Sequence, residues 1–242
     1  MRATAIIQAR TGSTRLPGKV LSRIKNKTML EHVAGRVLKA HSIKGVVVAT
    51  TVQKEDLAIV RVASGRGYPV YCGSETDVLD RYYQAARLFG LDHIVRITAD
   101  CPLIDPGVID RVVRFYFNAR GVDYASNTLE RSFPRGLDVE VFRFAALEKA
   151  WKGAHKACQR EHVTPYIYQN PSQFRIASYK NTDDYSSYRW TVDTQEDLKL
   201  VRKIYNLLYG RKPGFSLRDV LDVMQRYPRL ADINKRVSQK EL

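Results

Sequence analysis

The sequence lacks the features that mark a membrane protein, a disulfide-bonded secreted protein or a zinc protein. None of its 242 residues lie in an apolar run near the roughly 20 residues that cross a bilayer. The first residues pass directly into a strand pattern, without the apolar segment of a secretion signal. The three cysteines, Cys72, Cys101 and Cys158, stand far apart and form no C-x-x-C pair. We therefore expect a cytoplasmic protein with reduced thiols and no membrane partner.

Familiar nucleotide-binding and nucleic-acid-binding motifs are missing as well. The chain has no Gly-x-Gly-x-x-Gly fingerprint, and Gly18-Lys19 is followed by Val20, where a Walker A loop has Ser or Thr. Helix-turn-helix, ribonucleoprotein-like and zinc-finger patterns are absent too. A basic nucleic-acid-binding module is therefore only a secondary alternative.

The net charge of +15 is distributed unevenly. Residues 1–40 contain nine Lys and Arg against a single acid, Glu31, which accounts for more than half of the excess. A broad basic face would favour nucleic acid, whereas charge focused on one loop favours a small polyanion. We therefore expect a small anionic ligand and no nucleic acid.

The loop 8–19 lies within this basic region. It contains three cations, two glycines, one proline and three hydroxyls, and it follows an apolar run at 3–7 that is long enough for a buried strand. Open α/β sheets bind ligands at the carboxyl ends of their strands. Glycines let backbone N–H groups approach an anion, and Arg and Lys supply charge. We interpret the loop as a phosphate cradle; a solvated basic loop is the structural alternative.

Strand and helix patterns alternate over the first 125 residues, which indicates a mainly parallel α/β sheet with Rossmann-like twist and helices on both faces. The second half is less regular. We predict one domain over 1–242. It consists of a regular part at 1–125, a less regular part at 126–209, and a C-terminal helix with a basic tail at 210–242. The predicted strands are 3–7, 45–50, 69–71, 93–97, 137–142, 174–179 and 188–192. The predicted helices are 54–64, 75–89, 144–151, 160–169 and 194–208, together with helices opened by Thr28 with Glu31, by Asp105 with Pro106, and by Ser216 with Asp219.

Two aspartates follow strand patterns, Asp100 after 93–97 and Asp193 after 188–192. Beside a phosphate loop, a carboxylate at the edge of the sheet can hold Mg²⁺. Asp105 is assigned as a helix cap, which leaves Asp100 as the favoured metal ligand. On spacing alone, Asp193 is a weak signal for a metal ligand, because a lone Asp at this position is usually the cap of the helix that follows.

The first loop resembles a known family signature. Ile7-Gln8-Ala9-Arg10 through Gly18-Lys19-Val20-Leu21 is similar to the N-terminal motif of the sugar-activating cytidylyltransferases, which include the CMP-Kdo and CMP-sialic acid synthetases. The resemblance runs from residue 6 to about 205 and is greatest to the branch called spore-coat polysaccharide biosynthesis cytidylyltransferases. It implies a sheet related to the glycosyltransferase A fold and a homodimer built from the second half.

The resemblance also implies roles for single residues. In this family the aspartates of T-x-D-x-P and V-D-T-x-E-D-L hold the catalytic Mg²⁺, which points to Asp100 and Asp193. The implied catalytic residues are Arg10, Lys19 and Asp100. The implied nucleotide-binding residues are Ala9, Arg10, Gly12, Ser13, Arg15, Lys19, Gly73, Ser74, Asp77 and Thr98. Ser74 also fits a helix N-cap.

Two further clusters are predicted to face the sugar. Residues 134–140 contribute Arg135, Asp138 and Glu140, with both acids on one face of a strand, and residues 160–165 contribute Glu161 and His162. A salt-bridged strand and a capped helix start are the structural alternatives. Both clusters resemble the spore-coat branch and differ from the Kdo and sialic acid enzymes, so the acceptor stays open.

We therefore predict an Mg²⁺-dependent enzyme that transfers CMP from CTP to a sugar, with release of pyrophosphate, for surface polysaccharide assembly. The acceptor is either a nonulosonic or Kdo-like acid or a sugar phosphate. A glycosyltransferase of the same fold class is the main alternative, although the chain has no Asp-x-Asp motif. The residues alone do not choose between CTP and UTP, because backbone contacts in loops select the base.

Overall fold

The computed structural model describes residues 1–239, which form a seven-stranded sheet and a separate hairpin. The hairpin consists of β2 (Arg23–Ile24) and β3 (Lys27–Thr28). The strands of the large sheet are β1 (Ala3–Gln8), β4 (Ile43–Thr51), β5 (Val70–Gly73), β6 (His93–Thr98), β7 (Tyr124–Ser126), β8 (Glu140–Arg143) and β9 (Ile176–Ser178). Their order across the sheet is β5-β4-β1-β6-β8-β7-β9.

The first four strands in sequence within this sheet are parallel, with β1 between β4 and β6. Ile6 of β1 lies beside Val47 of β4 and Arg96 of β6. β8 runs antiparallel between β6 and β7, and β9 is parallel to β7. The sheet is therefore mainly parallel, which confirms the predicted fold class.

The α-helices of the described chain connect and cover these strands. They are α1 (Met29–Val37), α2 (Leu57–Ser64), α3 (Val78–Leu88), α4 (Pro106–Asn118), α5 (Phe144–Gly153), α6 (Ala157–His162), α7 (Pro165–Tyr168), α8 (Gln195–Leu208) and α9 (Leu217–Arg226). Three predicted helix starts are confirmed: capping boxes open α1 at Thr28 and α9 at Ser216, and Asp105 caps α4.

Each strand contributes to two hydrophobic cores, because successive side chains point to opposite faces of a sheet. In β1, Ala5 and Ile7 belong to the core formed with α1, α4, α8 and α9. Ile6, between them, belongs to the core formed with α3 and α5. Helices therefore cover both faces of the sheet, as predicted.

The topology brings the ends of β1 and β6 together. The chain adds β4 and β5 on one side of β1 and then crosses back to add β6 on the other side. Ligands of open α/β sheets bind at such a switch point, outside the carboxyl ends of the strands. Loop 8–19 follows β1 at this edge, and Asp100 follows β6.

The predicted helix over 160–169 is wrong, because two short helices occupy this segment. α6 ends at His162, Val163 has a φ of +72°, and α7 begins at Pro165. Proline has no backbone N–H for a continuous helix, which explains the break. A left-handed β-branched residue is strained, and such residues often lie at functional sites.

The predicted strand over 188–192 is also wrong. Its backbone hydrogen bonds go to loop residues: Trp190 and Thr191 donate to Arg135 O, and Val192 donates to Asp100 O. This segment passes close to Gly136, which has a φ of +104° and where an added Cβ would lie 2.6 Å from Thr191 N. Extended backbone without a neighbouring strand therefore carries Asp193 to its position.

Other boundaries shift by a few residues. The helix predicted from residue 75 begins after Asp77, because the Asp77 carboxylate caps α3. The strand predicted over 137–142 is reduced to β8, and β7 was not predicted because its three residues are too short to show a pattern. No helix among residues 1–239 has the length and apolar character needed to span a membrane.

We expect that Asp105→Ala destabilises the protein more than loss of an ordinary cap. Asp105 Oδ1 accepts the Val108 N–H and Oδ2 accepts the Leu217 N–H, each over 2.8 Å, so one buried carboxylate joins α4 to α9. The free energy of unfolding should fall by about 2–4 kcal/mol, from a lost cap and an unpaired buried donor.

Urea denaturation measures this change. Asp222→Ala is the control, because Asp222 is exposed on α9; its unfolding free energy should stay within about 0.5 kcal/mol of wild type. Equal denaturation midpoints for the two variants would contradict the assigned role of Asp105.

Candidate active site

A buried carboxylate, Asp56, holds loop 8–19 to the sheet. Thr11 donates its backbone N–H and its hydroxyl to Asp56 Oδ1 over 2.7 and 2.6 Å. Thr51, at the end of β4, donates its hydroxyl to Asp56 Oδ2 over 2.5 Å. At the other end of the loop, Gly18 donates to Thr11 O over 2.9 Å and has a φ of +68°, which glycine adopts without strain. The loop is thus closed on itself and tied to β4.

The Asp56 carboxylate is charged at neutral pH. Burial alone would raise the pKa of Asp56, but hydrogen bonds from Thr11 and Thr51 outweigh burial and lower the pKa below its ordinary value. Asp56 is not evident as a site residue from the sequence, because an acid near the start of a helix usually serves only to interact with the helix dipole.

Lys19 joins the loop to both predicted metal ligands. Its Nζ lies 2.7 Å from Asp100 Oδ2 and 2.7 Å from Asp193 Oδ1. The exposed fractions of the Lys19, Asp100 and Asp193 side chains are 10%, 22% and 16%. Three distant parts of the chain therefore meet in one largely buried ion-pair cluster.

The electrostatics of this cluster keep Lys19 and Asp100 charged. Burial lowers the pKa of Lys19, but the negative charges of Asp100 and Asp193 outweigh burial and raise the pKa above its ordinary value. Burial raises the pKa of Asp100, but Lys19 outweighs it, so the pKa of Asp100 is lowered. Burial and then the Asp100 charge raise the pKa of Cys101 well above its ordinary value, so this residue stays a thiol.

A second group of charged residues holds Asp193 from the other side. Arg189 Nη2 donates to Asp193 Oδ2 over 2.5 Å, and Arg189 Nε donates to Asp197 Oδ1 over 3.1 Å. Asp197 is completely buried and also accepts the backbone N–H groups of Asp193 and Thr194. Arg15 lies 3.1 Å from Asp193 Oδ2. Asp193 is therefore oriented by three cations and by its own backbone.

Two adjoining clefts open at this cluster. The first has a volume of about 320 Å³ and the second a volume of about 460 Å³. Gln8, Arg15, Thr98, Asp100, Glu161, His162 and Asp193 line both clefts. The two aspartates thus stand on a shared wall, where ligands in the two clefts would meet.

Seven of the predicted nucleotide-binding residues line the first cleft. They are Ala9, Arg10, Gly12, Ser13, Arg15, Lys19 and Thr98. Within the described chain, the Arg10 guanidinium makes no hydrogen bond or ion pair, so its charge is available to a ligand.

The other three predicted nucleotide-binding residues, Gly73, Ser74 and Asp77, lie outside the lining of both clefts. Asp77 caps α3 and forms an ion pair with Arg160. The Ser74 hydroxyl accepts the Asp77 N–H, so Ser74 does not cap α3, and that expectation was wrong. A role for this segment in binding the nucleotide stays a prediction.

Four of the predicted sugar-binding residues line the second cleft: Arg135, Asp138, Glu161 and His162. The fifth, Glu140, is buried and accepts hydrogen bonds from Arg96 over 3.0 Å and Thr164 over 3.2 Å. Glu140 therefore matches the structural alternative given for its cluster, an acid in a salt-bridged strand, and not a residue that faces the sugar. Asp138 lies before β8 and binds Arg131 through two hydrogen bonds, so the two acids do not share a face of one strand.

Sequence reasoning missed two cations of the site. Arg81 is almost completely buried on α3, lines the first cleft, and donates to the backbone carbonyls of Ser74 and Glu75. Its position between Val78 and Tyr82 on the apolar face of the helix was the available signal. Arg189 was missed because nothing in the sequence indicates that it packs between Asp193 and Asp197.

We expect Asp56→Ala to loosen loop 8–19 and to lower the free energy of unfolding by about 2 kcal/mol or more, because Thr11 and Thr51 lose their acceptor. Since the pKa of Asp56 is lowered on folding, its contribution is full above the unfolded pKa and disappears as the pH falls through the folded value. The difference from wild type should therefore shrink between pH 7 and the most acidic pH at which the protein folds.

Urea denaturation across this pH range provides the measurement. Glu55→Ala is the matched control, since Glu55 is the exposed neighbour of Asp56. An Asp56→Ala deficit that stays constant with pH would contradict a role for the carboxylate charge.

Comparison with known proteins relates this geometry to a family. The chain matches a family model described as cytidylyltransferase over residues 4–220. The spore coat polysaccharide biosynthesis protein SpsF of Bacillus subtilis (strain 168) is 30% identical, over 92% of this chain and 94% of its own. A 3-deoxy-manno-octulosonate cytidylyltransferase of Geotalea daltonii is 42% identical, over 47% of this chain and 44% of its own.

A solved structure agrees over the whole length. A cytidylyltransferase from Leptospira borgpetersenii serovar Hardjo-bovis superposes with a TM-score of 0.91 at 33% identity, and the match covers 100% of both chains. These findings confirm the resemblance seen in the first loop. The chain belongs to the cytidylyltransferase family of CTP-using nucleotidyltransferases.

Proposed function

We propose that this enzyme transfers CMP from CTP to an acidic sugar, with Mg²⁺ as cofactor and pyrophosphate as the second product. The observation that carries the proposal is the pair of clefts that meet at Asp100 and Asp193 beneath a basic loop. One cleft suits the nucleotide and the other the acceptor. By its similarity to a spore coat polysaccharide biosynthesis protein, we further propose a role in surface polysaccharide assembly.

The first cleft has the charge that a triphosphate requires. Arg10, Arg15, Lys19 and Arg81 all line it, and the loop adds Gly12 and Ser13 to the lining. Preorganised cations and N–H groups stabilise charge as it develops on phosphate oxygens. Arg10 and Lys19 are thus proposed to hold the triphosphate and the departing pyrophosphate.

The donor set at the shared wall fits Mg²⁺. Mg²⁺ is usually bound by one or two carboxylates together with substrate phosphates. Asp100 and Asp193 supply two carboxylates whose oxygens already converge on one cation, the Lys19 ammonium. These two residues would hold the ion, which would act as a Lewis acid toward the phosphate oxygens.

The reaction needs little covalent chemistry from the protein. The acceptor hydroxyl oxygen forms a bond to the α-phosphorus of CTP, the bond to pyrophosphate breaks, and the hydroxyl proton is released. Orientation of the two substrates and stabilisation of charge supply most of the rate enhancement in such transfers. Arg10, Lys19 and Asp100 are the catalytic residues of this proposal.

Arg135 supports an acidic acceptor. It lines the second cleft, and its guanidinium makes no hydrogen bond or ion pair within residues 1–239. Burial and then the positive charge of Arg131 lower the pKa of Arg135. An anion there would relieve this repulsion, and Arg pairs well with a carboxylate or a phosphate. A nonulosonic or Kdo-like acid and a sugar phosphate both satisfy this requirement.

Two further features of the proposal come from the family resemblance. We propose a homodimer formed through the less regular second half, and a cytoplasmic location.

A glycosyltransferase using a nucleotide-sugar is not favoured by any contact in the two clefts.

The experiment that tests the function is an assay of pyrophosphate release. Purified protein is incubated with Mg²⁺, each of the four nucleoside triphosphates, and a panel of nonulosonic acids, Kdo and sugar phosphates. We expect release with CTP and one acidic acceptor. Turnover of a nucleotide-sugar without CTP, or no binding of CTP at all, would contradict the proposal.

Variants of the two unpaired arginines should separate the clefts. Arg10→Ala is expected to lower kcat/KM for CTP by about 100-fold, by analogy with a lost transition-state donor. Arg135→Ala should raise KM for the acceptor by about tenfold while KM for CTP stays unchanged, because a charged hydrogen bond is lost in the second cleft only.

Arg87→Ala is the matched control, since Arg87 is exposed on α3 and should not affect either constant. If Arg135→Ala changed KM for CTP as strongly as KM for the acceptor, the assignment of the second cleft would be wrong.

A further inference from the structure

The last described residues, 234–239, reach back to the active site. This C-terminal segment follows α9 and a 3₁₀ helix at Pro228–Ile233, and it lies beyond the part of the chain that the family model matches. It is nevertheless in contact with Arg189 and Arg15, which both bind Asp193.

Asn234 anchors the segment. It is buried, and its Nδ2 donates to Arg189 O over 2.9 Å and to Asp197 Oδ1 over 2.8 Å. Asp197 also accepts from Arg189 Nε. One side-chain amide thus fixes both the backbone of Arg189 and the carboxylate that orients its guanidinium.

Gln239 lies at the other end of the segment and lines the second cleft. Its Oε1 accepts a hydrogen bond from Arg189 Nη1 over 2.5 Å, while Arg189 Nη2 binds Asp193. Between these two ends, Ser238 O lies 3.4 Å from Arg15 Nη1. Through Gln239 the segment therefore contributes part of the lining of the second cleft, and it adds two hydrogen-bond partners to Arg189.

We propose that segment 234–239 is a specificity-determining wall of the acceptor cleft, with Asn234 and Gln239 as positioning residues that act through Arg189. The proposal rests on the function given above, because it assigns the second cleft to an acidic sugar acceptor. It predicts that the segment affects acceptor binding more strongly than CTP binding, since Gln239 lines the second cleft and no residue of the segment lines the first.

Cys158 allows the wall to be tested without any substrate. This exposed thiol lines the same cleft as Gln239, whereas the exposed Cys72 lines neither cleft. Alkylation by N-ethylmaleimide, measured by mass spectrometry at each cysteine, uses Cys72 as an internal reference. Because access controls thiol reactivity, Gln239→Ala should speed alkylation of Cys158 by about two- to fivefold, and Gln239→Trp should slow it.

Kinetics with the acceptor found in the pyrophosphate assay provide the second measurement. Gln239→Ala should raise KM for the acceptor by about tenfold and KM for CTP by clearly less, because the second cleft loses part of its lining and Arg189 loses one hydrogen-bond partner. Asn234→Ala should raise KM for the acceptor similarly and also lower the melting temperature. Ser238→Ala is the control, because Ser238 contacts Arg15 only through its backbone carbonyl.

The outcomes separate this proposal from the proposed function. If wild-type protein turns over CTP but neither Gln239→Ala nor Asn234→Ala changes KM for the acceptor, the proposal is overturned while the function stands. Equal increases in KM for the acceptor and KM for CTP would show that the segment has only a structural role. That result would also overturn the proposal. If wild type uses no acceptor, the function fails, and unchanged Cys158 alkylation in both Gln239 variants would then refute the wall itself.

Discussion

The Lys19 ammonium between Asp100 and Asp193 is the interaction on which the site depends. Its partners come from the segments after β6 and before α8, while Lys19 itself ends the loop after β1. Two carboxylates this close would repel each other without a cation, and a largely buried lysine would lose its charge without an anion. Lys19 and Asp100 therefore stabilise each other's charged forms, and the ion pairs of Lys19 fix the relative positions of the three segments.

The sheet topology explains why these segments meet. β1 and β6 are parallel neighbours at the switch point, so the residues that follow them lie side by side. Asp193 arrives without a strand of its own, through extended backbone that hydrogen-bonds to Arg135 and Asp100. The first cleft is therefore built largely on the regular half of the sheet, whereas the second also uses irregular backbone and the C-terminal segment.

This difference decides how much could be predicted from the sequence. Loop 8–19 and Asp100 could be found because each follows an apolar strand pattern, and the helix starts at Thr28, Asp105 and Ser216 because capping is local. The contacts of Thr11 with Asp56 and of Asn234 with Asp197 could not, because each joins residues distant in sequence.

In the proposed function, the nucleotide and the acceptor occupy separate clefts that meet at Asp100 and Asp193. A crystal structure with CTP and Mn²⁺, with the ion located by its anomalous signal, tests this claim most directly. We expect the triphosphate along loop 8–19 in the first cleft, an ion bound by Asp100 and Asp193, and an open second cleft. A nucleotide in the second cleft, or an ion bound away from both aspartates, would contradict the account.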